Sequence, residues 1–102
     1  MMRAKLVLII APGLEEDLVD LLLALPAVDG FTSFVVQGNG KQQNMSLAEQ
    51  VTGRRRRLRF ELVLETAKVD GLLRDLRERL GNDTVYWVET LSGFGKLGEL
   101  PP

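Results

Sequence analysis

The residues most capable of chemistry lie in the middle of the chain, in the polar stretch 37–59. Four consecutive arginines, Arg54 to Arg57, stand near its end. They can form a solvated loop base balanced by nearby carboxylates, because surface ion pairs are common and weak. Alternatively, Arg55, Arg57 or Lys41 can bind phosphate or carboxylate, since guanidinium forks match both groups. The run can also dock onto an acidic protein surface.

The same stretch carries turn and helix signals. Gly38 and Gly40 can take the positive-φ turns by which a strand leaves a sheet. Ser46-Leu47-Ala48-Glu49 has the spacing of a capping box, which predicts a helical turn over Leu47 to Val51 that ends at Gly53. A connection of roughly sixteen to twenty residues is long for a compact domain, and such loops are commonly functional. We therefore expect an ordered functional loop.

The residue types exclude most catalytic chemistry. Cysteine and histidine are absent, which removes disulfides, thiol nucleophiles and Cys/His zinc sites, together with the usual general base near neutral pH. No nucleophile–base pair or Walker loop is present in the sequence. Glu15, Glu16 and Asp17 complement a helix dipole, so they need no metal. We expect a non-enzyme with no catalytic residue, no cofactor and no metal site.

The length and the net charge limit the remaining classes of protein function. The 102 residues suffice for a single domain, 1–102. With 13 basic and 14 acidic residues the net charge is −1, so the chain is no general polyanion binder. The apolar run Leu6 to Ala11 is too short for a membrane span or a signal-peptide core. We therefore expect a cytoplasmic protein.

Hydrophobic periodicity predicts four strands and two helices. Strands are expected at Arg3–Ile10, Phe31–Gln37, about Arg57–Glu65 and Thr84–Glu89, with an arm at about 90–102. One helix follows Pro12 and ends at Pro26, and the other runs from an N-cap at Thr66 to a stop at Gly81. The continuous apolar run in the first strand indicates burial on both faces.

In the second half of the chain, the alternation of residues in the third strand and the spacing of charges in the second helix predict which side chains face the core and which face solvent. Leu58, Phe60, Leu62 and Leu64 should face the core, opposite Arg59, Glu61, Val63 and Glu65. Arg57 should share a face with Arg59, whereas Arg54 and Arg56 are assigned to the loop. Solvent-side ion pairs are expected for Asp70 with Arg74, Arg74 with Glu78, and Asp75 with Arg79.

The order βαββαβ predicts an α+β, ferredoxin-like sandwich. Right-handed crossovers give a four-stranded antiparallel sheet of order 4-1-3-2 with both helices on one face. The other face of the sheet then remains uncovered, and self-association is the simplest way to bury it.

Two functions common to this topology can be tested against the sequence. A heavy-metal-binding domain needs Cys-x-x-Cys in the first loop, which here is Ala11-Pro12-Gly13. An RNA-recognition domain needs stacking aromatics on its first and third strands, but Phe60 alone is present there and should face the helices. A nucleic-acid binder that uses Arg54 to Arg57 is kept as the alternative. A ligand-free oligomerisation module is a third hypothesis.

The βαββαβ frame, with an oversized loop between its second and third strands, resembles the PII signalling superfamily. Gly38-Asn39-Gly40-Lys41-Gln42 is similar to the Gly-x-Gly-Arg/Lys-Gln stretch that opens the PII T-loop. The segment from Gly30 to Glu61 looks most like a small PII-like family whose members often sit beside heavy-metal efflux systems. The resemblance places a T-loop-like segment at about 38–57.

The resemblance implies a homotrimeric regulatory protein. Its central loop would contact a partner, either a membrane transporter or an enzyme, and a small anionic ligand would bind in clefts between subunits. Those clefts would combine the base of the loop, the segment before the fourth strand and the C-terminal segment. The implied ligand-binding residues are Gln37, Gly38, Gly40, Lys41, Gln42, Arg55 and Arg57. The implied partner-binding residues are Ser46, Leu47, Glu49 and Gln50.

The sequence departs from the PII pattern in three places. PII proteins hold nucleotide phosphates with a Gly-rich basic loop before the last strand, whereas here that loop is Gly81-Asn82-Asp83-Thr84. No tyrosine stands in the central loop, so classical uridylylation has no target. Ser92-Gly93-Phe94-Gly95-Lys96 is only loosely similar to the basic C-terminal pattern.

Overall fold

The computed structural model describes residues 2–39 and 55–102. The sheet strands are β1 (Arg3–Ile10), β2 (Phe31–Gly38), β3 (Arg55–Glu65) and β4 (Val85–Leu91), and the α-helices are α1 (Glu15–Ala24) and α2 (Val69–Leu80). Short 3-10 turns precede both helices, at Pro12–Leu14 and Thr66–Lys68, and a third lies at Leu97–Glu99. The central connection 39–54, with its expected helical turn at 47–51, lies outside the described residues except for position 39.

The four strands form one antiparallel sheet in the order β2-β3-β1-β4. This is the predicted order 4-1-3-2, counted from the opposite edge, and it confirms the α+β ferredoxin-like fold. β1 lies in the interior of the sheet between β3 and β4, whereas β2 and β4 are its edges.

The core lies between the helices and one face of the sheet, here called the helix side. Phe60 is fully buried there, and its ring lies 5.7 Å from that of Phe31. Alternate residues of the two central strands join it, and the helices add Leu18, Leu22, Val69, Leu72, Leu76 and Leu80. The sheet contributes Ala4, Leu6, Leu8, Ile10, Leu58, Leu62 and Leu64. The predicted alternation of β3 is therefore confirmed. The opposite face of the sheet is called the outer face.

Three strand boundaries differ from the expectation. β3 begins at Arg55, so the assignment of Arg56 to the loop is wrong: Arg56 pairs with Gln37 and Arg55 pairs with Gly38. Among the described residues a positive φ is recorded only at Gly81, so Gly38 does not make the expected turn and instead continues β2. β4 runs to Leu91 rather than Glu89, because it follows β1 as far as the pair Arg3–Leu91.

The ends of α2 confirm one prediction and correct another. Gly81 is the C-cap, with φ 85° and ψ −170°, a backbone conformation essentially restricted to glycine. Thr66 is not the N-cap, because it lies inside the 3-10 turn and α2 starts after Lys68 with no side-chain cap. Its backbone N–H instead donates to the Met2 carbonyl at 3.0 Å, which ties the turn to the start of β1.

The expected ion pairs along α2 do not form. Across residues 2–39 and 55–102, no salt bridge involves Asp70, Arg74, Asp75 or Glu78, nor does one involve Arg79. Exposed pairs at this spacing are worth only a few tenths of a kcal/mol, about as much as the entropy lost by fixing two long side chains. The polar face of α2 therefore remains hydrated.

Candidate functional site

The base of the central connection is a two-stranded ladder. Gly38 at the end of β2 faces Arg55 at the start of β3, so the chain leaves and re-enters the sheet at paired positions. Alternation places Gln37 on the helix side, where it is exposed, and Arg57 on the outer face, where it is half-buried. The Arg57 guanidinium donates to the Arg56 carbonyl at 2.8 Å. Two residues expected in one ligand site thus lie on opposite faces of a subunit.

The remaining expected site residues fall within the central connection. Gly40, Lys41 and Gln42, expected to bind a ligand, lie outside the described residues. The same holds for the expected partner-binding residues Ser46, Leu47, Glu49 and Gln50. The structure therefore places only Gln37, Gly38, Arg55 and Arg57 of the predicted set. Gly38 and Arg55 form the last pair of the ladder, Gln37 lies in the next pair, and Arg57 lies one pair further in, opposite Val36.

The outer face carries a polar network that spans three strands. The Arg59 guanidinium donates to the Glu61 carboxylate at 2.7 Å. The Lys5 ammonium lies 3.8 Å from Glu61 and 3.8 Å from Glu89. Trp87 closes the network, because its indole N–H donates to Glu89 at 2.9 Å. The Arg59 guanidinium also lies 5.0 Å from the centre of the Trp87 ring, which is within cation–π range. These five residues are called the outer ring.

Val7 lies at the centre of the outer ring. It pairs with Glu61 on one side and Trp87 on the other, and it is fully buried although it points away from the helices. The predicted burial of β1 on both faces is therefore confirmed at Val7. The cover comes from side chains of the same chain, in which Arg59 and Trp87 meet across β1.

Apolar side chains remain exposed around the outer ring. Phe34 of β2 lies against the other side of Arg59, with its ring centre 5.8 Å from the guanidinium. Phe34, Val85 and Trp87 are each more than a third exposed, which is unusual for large apolar residues clustered on one sheet face. Within the outer ring, two cations balance two carboxylates, so the ring itself carries no net charge that would attract a polyanion.

A cavity lies between α2 and β4, on the helix side. Its volume is about 220 Å³, and it is lined by Leu73, Arg74, Leu76, Arg77, Leu80, Gly81, Asn82, Thr84 and Tyr86. Its floor is leucine, and its rim carries two guanidinium groups and a phenol. Neither Arg74 nor Arg77 has a hydrogen-bond, ionic or ring partner in the described part of the chain. Sequence reasoning missed this site because it assigned Arg74 to paired, solvated charges.

The described residues contain neither a metal-binding cluster nor a membrane-spanning helix. No group of three or more acidic side chains is placed to hold a metal ion there. Glu15, Glu16 and Asp17 are exposed in the first turn of α1, where the dipole stabilises them. No described helix combines the length and hydropathy that a bilayer span requires.

Comparison with known proteins gives the family. A family model described as a protein of unknown function, DUF3240, matches residues 2–98. The crystal structure of a DUF3240 family protein from Shewanella baltica OS155 has 23% identity and a TM-score of 0.79, over 95% of this chain and 98% of that one. Among curated proteins, none matches the sequence significantly.

Two solved structures of GlnK from Bacillus subtilis share the fold. The ATP complex of GlnK has 22% identity and a TM-score of 0.69, over 89% of this chain and 83% of that one. A second GlnK structure has 20% identity and the same TM-score of 0.69, over 90% of this chain and 87% of that one. The match over residues 2–98, together with the sheet order, shows that the chain belongs to the DUF3240 family and has a fold similar to that of PII proteins.

Proposed function

We propose that this protein is a PII-like, homotrimeric regulatory protein. It binds a small anionic effector between subunits, and its central connection contacts a partner protein. The observation that carries the proposal is the pairing of Gly38 with Arg55 in a fold similar to that of GlnK. This pairing holds both ends of a long connection at one end of the sheet. A loop that changes its contacts when a ligand binds needs such a fixed base.

The charges at the ends of the connection favour an anionic effector. Arg55 and Arg57 stand where the connection re-enters the sheet, and we propose that they act with Gln37, Gly38, Gly40, Lys41 and Gln42. Because Gln37 and Arg57 lie on opposite faces of a subunit, we propose that they reach the same effector from two neighbouring subunits. Guanidinium groups bind phosphate and carboxylate through two parallel hydrogen bonds, which favours such anions over neutral ligands. The solved GlnK complex contains ATP, which makes nucleotides the first class to test.

The cavity beside α2 supplies basic groups that the loop before β4 lacks. Asp83 makes that loop acidic, whereas Arg74 and Arg77 line the cavity next to it. The half-exposed Tyr86 and the leucine side chains of the cavity would contact the apolar part of a ligand. The two arginines would bind its negatively charged group. We therefore propose that these arginines take part in effector binding.

Effector binding is tested by a thermal-shift panel. The panel contains adenine nucleotides, small dicarboxylates and divalent ions, applied to the wild-type protein and to Arg55→Ala, Arg57→Ala and Arg77→Ala. Arg79→Ala is the matched control, because Arg79 is exposed on the same helix and does not line the cavity. A ligand that raises Tm in the wild type and the control, and less in the other variants, supports the proposal. An inert panel would identify a ligand-free module instead.

Assembly and partner contact are tested separately. Light scattering should give a particle of about three times 11.4 kDa, and a particle of a single subunit would refute the trimer. We propose that Ser46, Leu47, Glu49 and Gln50 contact the partner, a transporter or an enzyme. Glu49→Lys should therefore abolish partner binding and leave the effector-induced Tm shift intact.

A further inference from the structure

The cavity between α2 and β4 is lined by residues of a single chain. Leu76 and Leu80 form its apolar floor and are only 3% and 8% exposed. The Tyr86 ring forms the opposite wall, because its pairing with the buried Leu8 places it on the helix side. Leu8 is covered by the helices whereas Tyr86 is 52% exposed, so this cover ends between β1 and β4. The cavity is therefore an apolar recess at the edge of the helix layer.

The loop after α2 closes one end of the cavity. Gly81 leaves the helix with φ 85°, and a Cβ added to it would meet no other atom within 4 Å, so the space beside it is open. Asn82 and the half-buried Thr84 follow in the lining. Their amide and hydroxyl groups can donate hydrogen bonds to a bound molecule.

The charge of the cavity lining is entirely positive. Arg74 and Arg77 lie three residues apart, which puts them on one face of α2 with Cβ atoms roughly 5–6 Å apart. Of the described residues, no carboxylate lines the cavity. Within the same part of the chain, neither guanidinium has a hydrogen-bond, ionic or ring partner. Two unengaged guanidinium groups at this spacing can hold one carboxylate between them.

The dipole of α2 determines which way such a ligand lies. The negative end of the dipole is at Gly81, where it disfavours an anion. The carboxylate should therefore lie towards Arg74, in the middle of the helix, and the apolar body towards Leu80 and Tyr86.

The volume of the cavity limits the ligand to a compact molecule. It is about 220 Å³, below the roughly 300–1,000 Å³ of pockets that enclose drug-sized ligands. A single ring with a short acidic side chain suits this space, whereas the base, ribose and phosphates of a nucleotide would extend beyond it. The Tyr86 ring can pack against an aromatic body in an offset or edge-to-face arrangement.

We propose that this cavity binds a compact aromatic carboxylate, held by Arg74 and Arg77 at its charged end and by Tyr86 and Leu80 at its ring. The inference rests on the proposed function in assigning the two arginines to effector binding, and it adds the chemical class of ligand that this part of the molecule takes. Binding in the cavity itself requires neither a second subunit nor the central connection.

A titration with matched small molecules tests the ligand class. The wild-type protein is titrated by NMR with phenylacetate, with phenylethanol, which keeps the ring without the charge, and with acetate, which keeps the charge without the ring. AMP tests the size limit. We expect saturable binding of phenylacetate with a Kd at least tenfold below that of each of the other three. Equal affinity for phenylacetate and phenylethanol, or for phenylacetate and AMP, would overturn the inference. So would the absence of saturable phenylacetate binding up to roughly 10 mM.

Single substitutions test the location of the site. Arg74→Ala and Arg77→Ala change exposed residues, so the fold should be preserved, and each should raise the Kd for phenylacetate at least fivefold. Arg79→Ala is the matched control on the same helix, and Arg57→Ala is the control on the outer face. Both controls should leave the Kd unchanged. A loss in Arg79→Ala as large as that in Arg77→Ala would indicate general charge attraction, and a loss in Arg57→Ala would place the site at the central connection; either result contradicts the inference.

This inference and the proposed function can fail separately. A nucleotide-induced Tm shift that is lost in Arg57→Ala, without binding of phenylacetate, refutes the cavity ligand and retains the proposed function. Phenylacetate binding that depends on Arg74 and Arg77 but not on Arg57, in a protein that does not respond to the thermal-shift panel and is monomeric by light scattering, does the reverse.

Discussion

The contact of Arg59 with Trp87 across β1 allows a quantitative prediction. Arg59 is about one quarter exposed and donates to Glu61 at 2.7 Å, so this charge-assisted bond should contribute about 1 kcal/mol, between exposed and buried values. The guanidinium lies 5.0 Å from the centre of the Trp87 ring and 5.8 Å from that of the Phe34 ring, and both contacts are partly exposed, which places them at the weak end of cation–π energies. Each contact then adds roughly 0.5 kcal/mol.

Arg59→Ala should therefore lower the free energy of unfolding by about 2 kcal/mol. Arg59→Lys should lose roughly half as much, because it keeps the charge but not the planar fork. With an m-value of roughly 1–2 kcal/mol/M, the urea midpoint for Arg59→Ala falls by about 1–2 M. Each variant is unfolded at two protein concentrations tenfold apart, so that any contribution from self-association appears as a concentration dependence.

A double-mutant cycle isolates the contact itself. Arg59→Ala and Trp87→Leu, singly and combined, should show a coupling energy of roughly 0.5–1 kcal/mol. The matched cycle of Arg74→Ala with Trp87→Leu should give zero within about 0.5 kcal/mol, because Arg74 has no ring partner among the described residues. Equal coupling in both cycles would refute the outer ring as a source of stability.

Three further predictions concern the backbone, the core and salt. Gly81→Ala should destabilise the protein by about 1–2 kcal/mol, because Gly81 has a positive φ that alanine adopts only with strain. Gly71→Ala, in open space within α2, should stabilise it by roughly 0.5–1 kcal/mol, because alanine has the higher helix propensity. Urea unfolding that shows the same sign for both variants would contradict this. Phe60→Leu should cost roughly 1–2 kcal/mol and keep the fold, whereas Phe60→Ala should cost about 3–5 kcal/mol; calorimetry that shows equal losses would indicate a core that can collapse. Raising the salt concentration from 0.1 to 1 M should reduce the loss caused by Arg59→Ala, since the Glu61 ion pair is partly exposed, and an unchanged loss would assign it to packing alone.

The sequence predicted best the features that depend on the type of each residue and its immediate neighbours in the chain. The alternation from Leu58 to Leu64 fixed which face of β3 is buried, and the continuous apolar run in β1 indicated cover on both sides. Alternation has a period that only a strand satisfies. Because these signals are local, they gave the order of elements and hence the sheet.

The sequence predicted poorly where partners are distant. Arg59 and Trp87 lie on the two strands that flank β1, and the long guanidinium side chain of Arg59 extends across β1 to the Trp87 ring. The periodicity of the sequence does not predict such a contact. Arg56 was assigned to the loop because the strand was expected to begin at about Arg57, whereas the structure places Arg56 in β3 opposite Gln37. Thr66 has the right type for an N-cap, but a 3-10 turn moves the start of α2 past it.

The enclosure of Val7 has a consequence for how subunits are made. A single chain keeps its central strand dry by closing its own charged side chains over it, so a newly synthesised subunit need not meet another before it becomes compact. Folding is then a first-order event, and the proposed association is a later, concentration-dependent one. With such an association, protein abundance would set the extent of assembly without loss of the folded subunit.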